Sequence, residues 1–316
     1  KFAPWDWETY IDLPTEKGSP ISMLPHVFGM DTQGRPTAVS AESFVQTLGD
    51  HAALAEALSD FLLLTQEGAP FARHIGSQDS LSEIMEGSNP ILLPTESRLL
   101  GYAMIAGIAR NLTHPDFALI ERQATVEPGQ GLGVKFFESA SLEAPGTRPQ
   151  AKTASVARLV LALVKARELI SKDAQFPGKD RKDLLDTIET LIPISALTLT
   201  AQAENPDGSY RAELNSADQQ GDLLSTVLAL RAIQAAYDLS GMKVLTLNLK
   251  AGMRYLQSGL PRLERIRELN EKERVSIWNF LILWDQAKPD WSEAIFGPEG
   301  KELRIQWEKA LLETLN

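Results

Sequence analysis

The 316-residue sequence contains no cysteine. Disulfides, thiolate metal sites, a cysteine nucleophile and an internal thioester are therefore excluded. A chain without cysteine is compatible with the bacterial periplasm but does not prove that location. Because the sequence starts at Lys1 without an apolar leader, we expect a mature chain that has lost a signal peptide and is periplasmic or secreted, with a cytoplasmic location as the alternative.

Histidine is scarce too. The four histidines are widely scattered and none forms a His-x3-His or His-Glu pair: His26, His51, His74 and His114. A zinc site needs several such ligands at defined spacing. We therefore predict neither a metal site nor a cofactor.

Long hydrophobic runs are missing as well, because the longest strongly apolar stretch, Leu159 to Val164, is far too short to cross a bilayer. The chain has 31 basic and 42 acidic residues, which gives a net charge of −11. That charge repels phosphate backbones and anionic membrane surfaces. We expect a folded protein with no transmembrane segment and no nucleic-acid partner.

What the sequence does contain is helical periodicity, and it is clearest over residues 202–257. Asp222 is predicted to cap the start of a helix and Gly241 to end it. A second helix is predicted from about Val244 to Gln257. The first helix has a stripe that we expect to be buried: Leu223, Val227, Leu230, Ile233 and Tyr237. Its polar face is expected to be solvated: Arg231, Gln234 and Asp238. The stripe of the second helix is Leu245, Leu249, Met253 and Leu256.

Other segments show the same pattern. Helices are predicted over residues 38–65 with a break at Gly49, 96–111, 115–123, 154–170, 181–201 with a possible interruption at Pro193, 271–285 and 302–315. Four tryptophans are expected in the core: Trp278, Trp284, Trp291 and Trp307. Residues 1–36 are rich in proline and aromatic side chains, which predicts an extended strap on the body of the protein. Residues 37–316 are expected to form a single domain.

Residues 124–152 contain several glycines and prolines and are predicted to form an irregular insertion, with a short strand at Val134–Phe137. A long interruption of a helical array is often the place where function is carried.

The helical pairs recur. The tetrapeptide Val-Leu-Ala-Leu occurs at residues 160–163 and again at 227–230, at equivalent helix positions. Four glutamines occupy comparable helix ends: Gln66, Gln123, Gln202 and Gln257. Gln123 and Gln202 are each followed directly by Ala, and a Gly stands six residues after each Gln. A period of about 55 to 80 residues with one helical pair in each indicates a helical-hairpin repeat.

The segment Gln202 to Tyr210 resembles the Gln-x5-Gly-x-Trp repeat of the squalene cyclase and protein prenyltransferase superfamily, and residues 250–256 look like the upstream half of that motif. The resemblance implies an all-α fold, an α/α toroid of about five helical hairpins. Tyr210 stands where the family has Trp, and Gly131 stands there in the other copy. The family's catalytic residues do not carry over, since the Asp-x-Asp-Asp motif and the zinc-binding cysteine are missing.

Toroids of this kind also occur in polysaccharide lyases and glycoside hydrolases, which makes some loop residues candidates for chemistry. A phenol beside a guanidinium, Tyr210-Arg211, can move a proton and bind a carboxylate, and Arg73-His74 can neutralise and deprotonate an acidic sugar. Our candidate catalytic residues are Tyr210, Arg211 and His74. The candidate ligand-binding residues are Arg73, Glu127, Gln130, Asp207 and Glu213. Each is also an ordinary loop residue, with Gln202 capping a helix, Gly208 turning the chain and Tyr210 packing between hairpins.

Three functions remain open at this point. The first is an extracytoplasmic protein that binds a glycan, a peptide or a partner protein in a helical cleft without catalysis. The second is a polysaccharide lyase or glycoside hydrolase that uses the Tyr, Arg and acidic residues of the loops. The third is a terpenoid-type cyclase, which rests on fold analogy alone. Whether the protein is an enzyme is left undecided by the sequence.

Overall fold

The structure is a computed structural model, and it describes residues 11–13, 21–23, 28–30, 36–38, 47–64, 105, 108, 119–122, 134–138, 149–172, 178–260, 268–286 and 300–313. Helices in these ranges are α1 Leu48–Leu64, α2 Thr153–Lys172, α3 Gly178–Gln202, α4 Leu223–Ser240, α5 Leu245–Gly259, α6 Glu271–Gln286 and α7 Gly300–Glu313. Strands are β1 Ile11–Leu13, β2 Ile21–Met23, β3 Phe28–Met30, β4 Pro36–Ala38, β5 Ile120–Arg122 and β6 Val134–Phe136. The prediction of an all-α protein is confirmed for the described residues, whose strands are only three residues long.

Two compact units make up the chain. The first unit comprises residues 1–121, 137–149 and 165–189, and the second comprises residues 122–136, 150–164 and 190–316. Helices α2 and α3 contribute residues to both units.

Short hairpins occupy the described part of the N-terminal region. β1 and β2 are antiparallel, with Ile11 opposite Met23, and β3 and β4 are antiparallel, with Phe28 opposite Ala38. Two-residue periodicity over three residues is too weak a signal to be read from sequence, which is why only an extended strap was predicted here.

Helix α1 starts at Leu48, whereas its sequence pattern predicted a start at residue 38 and a break at Gly49; Ala38 belongs to β4, and residues 39–46 lie outside the described residues. The hydroxyl of Thr47 accepts a hydrogen bond from the backbone N–H of Asp50 at 3.0 Å, and the carboxylate of Asp50 accepts one from the N–H of Thr47 at 2.9 Å. This reciprocal capping box fixes the helix start, so Gly49 lies in the first turn and does not break the helix. His51 is buried in the same turn, and burial lowers the pKa of its imidazole despite the nearby Thr47 carbonyl and Asp50 carboxylate.

Two other helix predictions are wrong in part. Residues 120–122, predicted as the end of a helix, form β5, and the neighbouring Leu119 carbonyl accepts a lateral hydrogen bond from the N–H of Phe137 at 2.9 Å. The short strand predicted at 134–137 is confirmed as β6.

Helix α3 runs through Pro193 without interruption. The buried side chains around Pro193, such as Ile192 and Ala196, hold the helix together where one backbone donor is missing.

In the second unit, α4 packs against both α5 and α6. The predicted stripe of α5 is confirmed, since Leu245, Leu249, Met253 and Leu256 are all buried. Contact on two sides buries α4 more completely than an amphipathic helix requires, and every residue from 225 to 230 is buried. Gln234, predicted to be solvated, is buried and donates a hydrogen bond to Asp238 at 2.8 Å. The sequence pattern missed this because Gln234 finds its polar partner one turn later on the same helix.

Helices α6 and α7 meet through aromatic side chains. Phe280 contacts Trp284 and Trp307 edge to face, at ring-centroid distances of 5.7 and 5.4 Å. Arg304 of α7 forms an ion pair with Asp285 of α6 at 2.5 Å. The core positions predicted for Trp284 and Trp307 are confirmed, Trp278 is only half-buried, and Trp291 lies outside the described residues.

One helical stretch, Arg181–Gln202, is long and apolar enough to cross a membrane by length and composition alone, and 44% of its most apolar window is buried inside the protein. Buried core helices pass the same test, so this is weak evidence for a membrane span. It is the single stretch of this kind among the residues that the structure describes.

Asp222 is the N-cap of α4, as predicted. Its carboxylate accepts hydrogen bonds from the backbone N–H and the hydroxyl of Ser225 at 3.0 and 2.7 Å, and it forms an ion pair with Lys272 at 2.6 Å. Burial alone raises the pKa of Asp222, but the hydrogen bonds from Lys272 and Ser225 outweigh burial and lower it. Gly241 closes the helix at the left-handed φ of 66°.

We expect Asp222→Asn to lower the free energy of unfolding by about 1 kcal/mol at pH 7, since the cap and the ion pair are both weakened. The folded pKa lies below the unfolded one, so the stabilisation is present above about pH 4 and is lost as the pH falls through the folded pKa. Urea unfolding at several pH values measures this effect. The difference in free energy of unfolding between the variant and the wild type should become smaller in acid. Asp218→Asn, at an exposed loop position, is the matched control. A difference in free energy of unfolding that stays constant down to pH 2 would contradict the expectation.

Candidate functional site

The candidate site is the turn that follows α3, residues 202–222, which we call the Gln-led turn. Gln202 is buried and its amide Nε2 donates to the carbonyl of Val134 at 3.1 Å. Its Oε1 accepts from the side chain of Asn215 at 2.9 Å, and its backbone carbonyl accepts from the N–H of Asn215 at 2.8 Å. Gln202 therefore ties the start of the turn to Asn215 inside it and to Val134 of β6. Gln257, its predicted counterpart, is exposed on α5, so the two glutamines have different environments.

Three short segments of the turn lie side by side. Glu204 pairs with Tyr210, and Arg211 pairs with Gly221, both as antiparallel bridges. The N–H of Asp222 donates to the carbonyl of Tyr210 at 2.8 Å. The segment around Tyr210 is thus in the middle, flanked by the segments of Glu204 and Asp222. Residues directly opposite each other in such a pairing project to the same face.

The tip of the turn is a tight bend at Asp207-Gly208-Ser209. The Asp207 carboxylate accepts from the N–H and the hydroxyl of Ser209 at 2.9 and 2.7 Å. Asn205 donates from its amide to the hydroxyl of Ser209 at 2.9 Å and to the carbonyl of Gln219 at 2.8 Å. These side chains tie the bend to the last segment of the turn.

Gly208 brings the bend against α5. It has the left-handed φ of 86°, and a Cβ placed on it would lie 2.4 Å from the backbone carbonyl carbon and oxygen of Ala251 and 2.8 Å from the N of Gly252. Only glycine permits both the backbone conformation and the close approach. Gly252 in turn faces α4, where a Cβ would lie 2.4 Å from the side chain of Leu230.

Tyr210, our first candidate catalytic residue, is fully buried at the centre of the turn. Its N–H donates to the hydroxyl of Thr226 at 2.9 Å, and its phenol oxygen has no hydrogen-bond partner among the described residues. Burial first, and the charge of Glu204 second, raise the pKa of the phenol well above its usual value. This environment favours the packing role of Tyr210.

Arg211, the second candidate, is used inside the turn. Its guanidinium donates to the carbonyl of Ser216 at 2.7 Å and to the carbonyl of Glu204 at 3.4 Å. The guanidinium therefore links the first segment, at Glu204, to the connection at Ser216 that joins the second and third segments. Glu213 is exposed on the same turn, and its backbone pairs with that of Lys152. The other candidates, Arg73, His74, Glu127 and Gln130, lie outside the described residues.

The edge of the turn beside α5 has a cluster of polar groups, of which the sequence singled out only Asp207. Glu204 is half-buried and accepts a hydrogen bond from the amide of Asn248 on α5. Burial raises the pKa of Glu204, and the bond from Asn248 opposes this in part. Tyr255 of α5 is half-buried beside the turn, and burial first, then the charges of Asp207 and Asp222, raise the pKa of its phenol.

Gly221 lies beside the Tyr255 side of this cluster. A Cβ placed on Gly221 would lie 2.4 Å from the hydroxyl oxygen of Ser209 and 3.2 Å from the phenol oxygen of Tyr255. Asp207 was predicted as a ligand-binding residue and does lie in this cluster. Glu213, predicted for the same role, does not belong to the cluster. The sequence signal that could have found Tyr255 is its helical spacing from Asn248, since residues seven apart share a helix face.

The polar edge of the turn, defined by Glu204, Asp207, Asn248 and Tyr255, can hydrogen-bond a hydroxylated ligand and offers one aromatic ring for stacking. Within the described residues, no group of three or more His, Cys, Asp or Glu side chains is arranged to hold a metal ion. No protein-family model, curated protein or solved structure matches the chain.

We expect Gly208→Ala to lower the free energy of unfolding by about 3 kcal/mol, because alanine is strained at this φ and its methyl group overlaps the backbone of Ala251. Gly241→Ala is the matched control: Gly241 has a similar left-handed φ but no atom within 4 Å of an added Cβ. It should cost only about 1 kcal/mol. Urea unfolding of both variants measures the difference. Equal losses would show that the contact with α5 contributes nothing.

Tyr210→Phe should leave the free energy of unfolding within about 0.5 kcal/mol of the wild type, because the lost hydroxyl makes no hydrogen bond in the described structure. Tyr210→Ala should cost about 3 to 5 kcal/mol, since it leaves a cavity the size of a ring. Guanidinium unfolding followed by circular dichroism gives both values. A large loss with phenylalanine would mean that the hydroxyl is bonded in solution.

Proposed function

We propose that the protein is an α/α toroid of the squalene cyclase-like kind and that it binds a neutral glycan at the polar edge of the Gln-led turn, without catalysing a reaction on it. The toroid is supported by the packing of α4 against both the next helix, α5, and the one after it, α6. In a closed array of helical hairpins, alternate helices pack side by side while each also contacts its hairpin partner. The buried Gln202, the bend at Gly208 and the buried Tyr210 match the structural roles expected of the repeat.

The observation that carries the binding proposal is that the turn contains two groups of side chains with different surroundings. Tyr210 and Arg211, the residues suited to catalysis, are occupied by packing and by backbone carbonyls. The groups left at the edge are carboxylates, an amide and the Tyr255 ring, which suit sugar hydroxyls and the apolar face of a sugar ring. Carboxylates repel uronates, which favours a neutral glycan over an acidic one.

Titration calorimetry with neutral and uronate oligosaccharides tests this proposal. We expect binding of a neutral oligosaccharide that weakens about tenfold in Tyr255→Ala, since a stacking ring contributes about 1 kcal/mol or more. Tyr255→Phe keeps the ring and should bind nearly as well as the wild type. Tyr237→Ala removes another half-buried tyrosine, on α4, and serves as the control. If no neutral oligosaccharide binds, or if Tyr237→Ala weakens binding equally, the proposal is wrong.

A glycoside hydrolase is the second candidate, and one observation favours it. The pKa of Glu204 is raised by burial, whereas hydrogen bonds from Lys272 and Ser225 lower that of Asp222 against the effect of burial. Two carboxyl groups whose pKa values are moved apart are the arrangement that supplies an acid and a base for glycosidic cleavage. Release of reducing ends from a neutral polysaccharide, lost in Glu204→Gln, would replace the binding proposal with this one.

The location belongs to the proposal as well. A periplasmic or secreted site of action is compatible with the absence of cysteine and brings the protein into contact with glycans. Lyase chemistry through Tyr210 and Arg211 has less support, because a phenol buried at the centre of the turn has to become exposed before it reaches a polymer.

A further inference from the structure

The outer face of α5 is unusual in a protein with a net charge of −11. Leu247, Lys250 and Arg254 of α5 are all exposed and follow each other at intervals of three or four residues, which places them within an arc of about 60°; Lys243, also exposed, lies in the turn just before the helix. We call these four residues, together with Val244, the basic face. Leu247 is 74% exposed and lies between Lys243 and Lys250 along the chain, and Val244, at the start of α5, is 56% exposed.

Among the residues that the structure describes, none pairs with the positive charges of the basic face. The side chains of Lys243, Lys250 and Arg254 make no hydrogen bond or ion pair within the described part of the chain, and α5 itself contains no acidic residue. Other basic side chains of the same structure are paired with carboxylates, as in Arg167 with Glu189 and Arg304 with Asp285. The positive potential of the basic face is therefore not neutralised by neighbours on its own helix.

The flank of α5 toward the Gln-led turn has the opposite charge. Glu204 accepts a hydrogen bond from Asn248, and Asp207 lies near Tyr255. Asn248 and Tyr255 are about 100° or more around the helix from Lys250 and Arg254. A boundary between negative and positive surface thus runs along α5, and it fixes the direction from which a charged partner can approach.

We infer that the basic face of α5 is a docking surface for an acidic segment of a partner protein, separate from the glycan edge of the turn. Charge complementarity requires a negative partner, and the exposed Leu247 and Val244 require one with apolar side chains. A polysaccharide offers no such side chains. An anionic membrane is disfavoured because the remaining charge of the protein repels it. An acidic amphipathic segment satisfies both requirements.

Fluorescence anisotropy with a fluorescein-labelled amphipathic peptide that carries glutamate and leucine on one face tests the inference. The full chain should bind this peptide at roughly 0.02 M salt and more weakly at roughly 0.15 M salt, because exposed charges are screened. Lys250→Glu combined with Arg254→Glu should weaken binding about tenfold or more, since two attractions become repulsions. Leu247→Ser should weaken it several-fold at unchanged salt dependence.

Lys182→Glu combined with Lys309→Glu is the matched control, because it changes the net charge equally at two exposed positions on α3 and α7. It should bind like the wild type. Circular dichroism melting checks that every variant is folded, as expected for exposed positions.

Several results would overturn the inference. One is equal weakening by the control pair, which would mean a general charge effect. Another is equal binding of the same peptide with glutamine in place of glutamate, or no binding at either salt concentration. Binding of phosphatidylserine vesicles without binding of the peptide would assign the face to a membrane. Self-association of the wild type, measured by analytical ultracentrifugation and lost in Lys250→Glu with Arg254→Glu, would assign it to a second copy of the chain. These readouts do not depend on whether a glycan binds at Tyr255.

Discussion

The close approach of two backbones, at Gly208 in the turn and at Ala251 in α5, is the contact on which the candidate site depends. Because neither side chain separates them, the bend lies directly on the helix. Gly252, the next residue of α5, makes a similarly close contact with Leu230 of α4. One helix is thus held on two sides through its smallest residues, and the turn takes its position from α5 instead of from its own hydrogen bonds alone.

That position divides the polar residues of the turn into two groups. Gln202, Tyr210 and Arg211 stabilise the turn: Gln202 bonds Asn215 and Val134, Tyr210 is buried at the centre, and Arg211 donates to carbonyls of the turn. Glu204 and Asp207 are left at the edge, next to groups supplied by α5. Tyr210 and Arg211 are chemically capable of catalysis, but their contacts use them to stabilise the turn. Which of the two roles a residue has depends on the neighbours that it contacts.

Sequence periodicity predicted α4 and α5 well, because apolar residues three or four apart mark one helix face and because Asp222 and Gly241 have strong conformational preferences. It failed where neighbours override the local pattern. Gln234 is buried because α4 is covered on two sides, and residues 120–122 form a strand whose neighbour Leu119 bonds to Phe137 of another segment. Gly49 lies inside the first turn of α1 since a capping box compensates for the flexibility of glycine.

By itself the sequence determined the helical class, the two ends of α4 and the absence of cysteine chemistry, since each follows from residue type or from spacing along the chain. Only the tertiary structure decided that Tyr210 is enclosed, that Tyr255 stands beside the acidic edge and that Leu247, Lys250 and Arg254 of α5 are exposed. Burial and electrostatic environment arise from contacts between residues that are distant in sequence, and local pattern carries no record of those contacts.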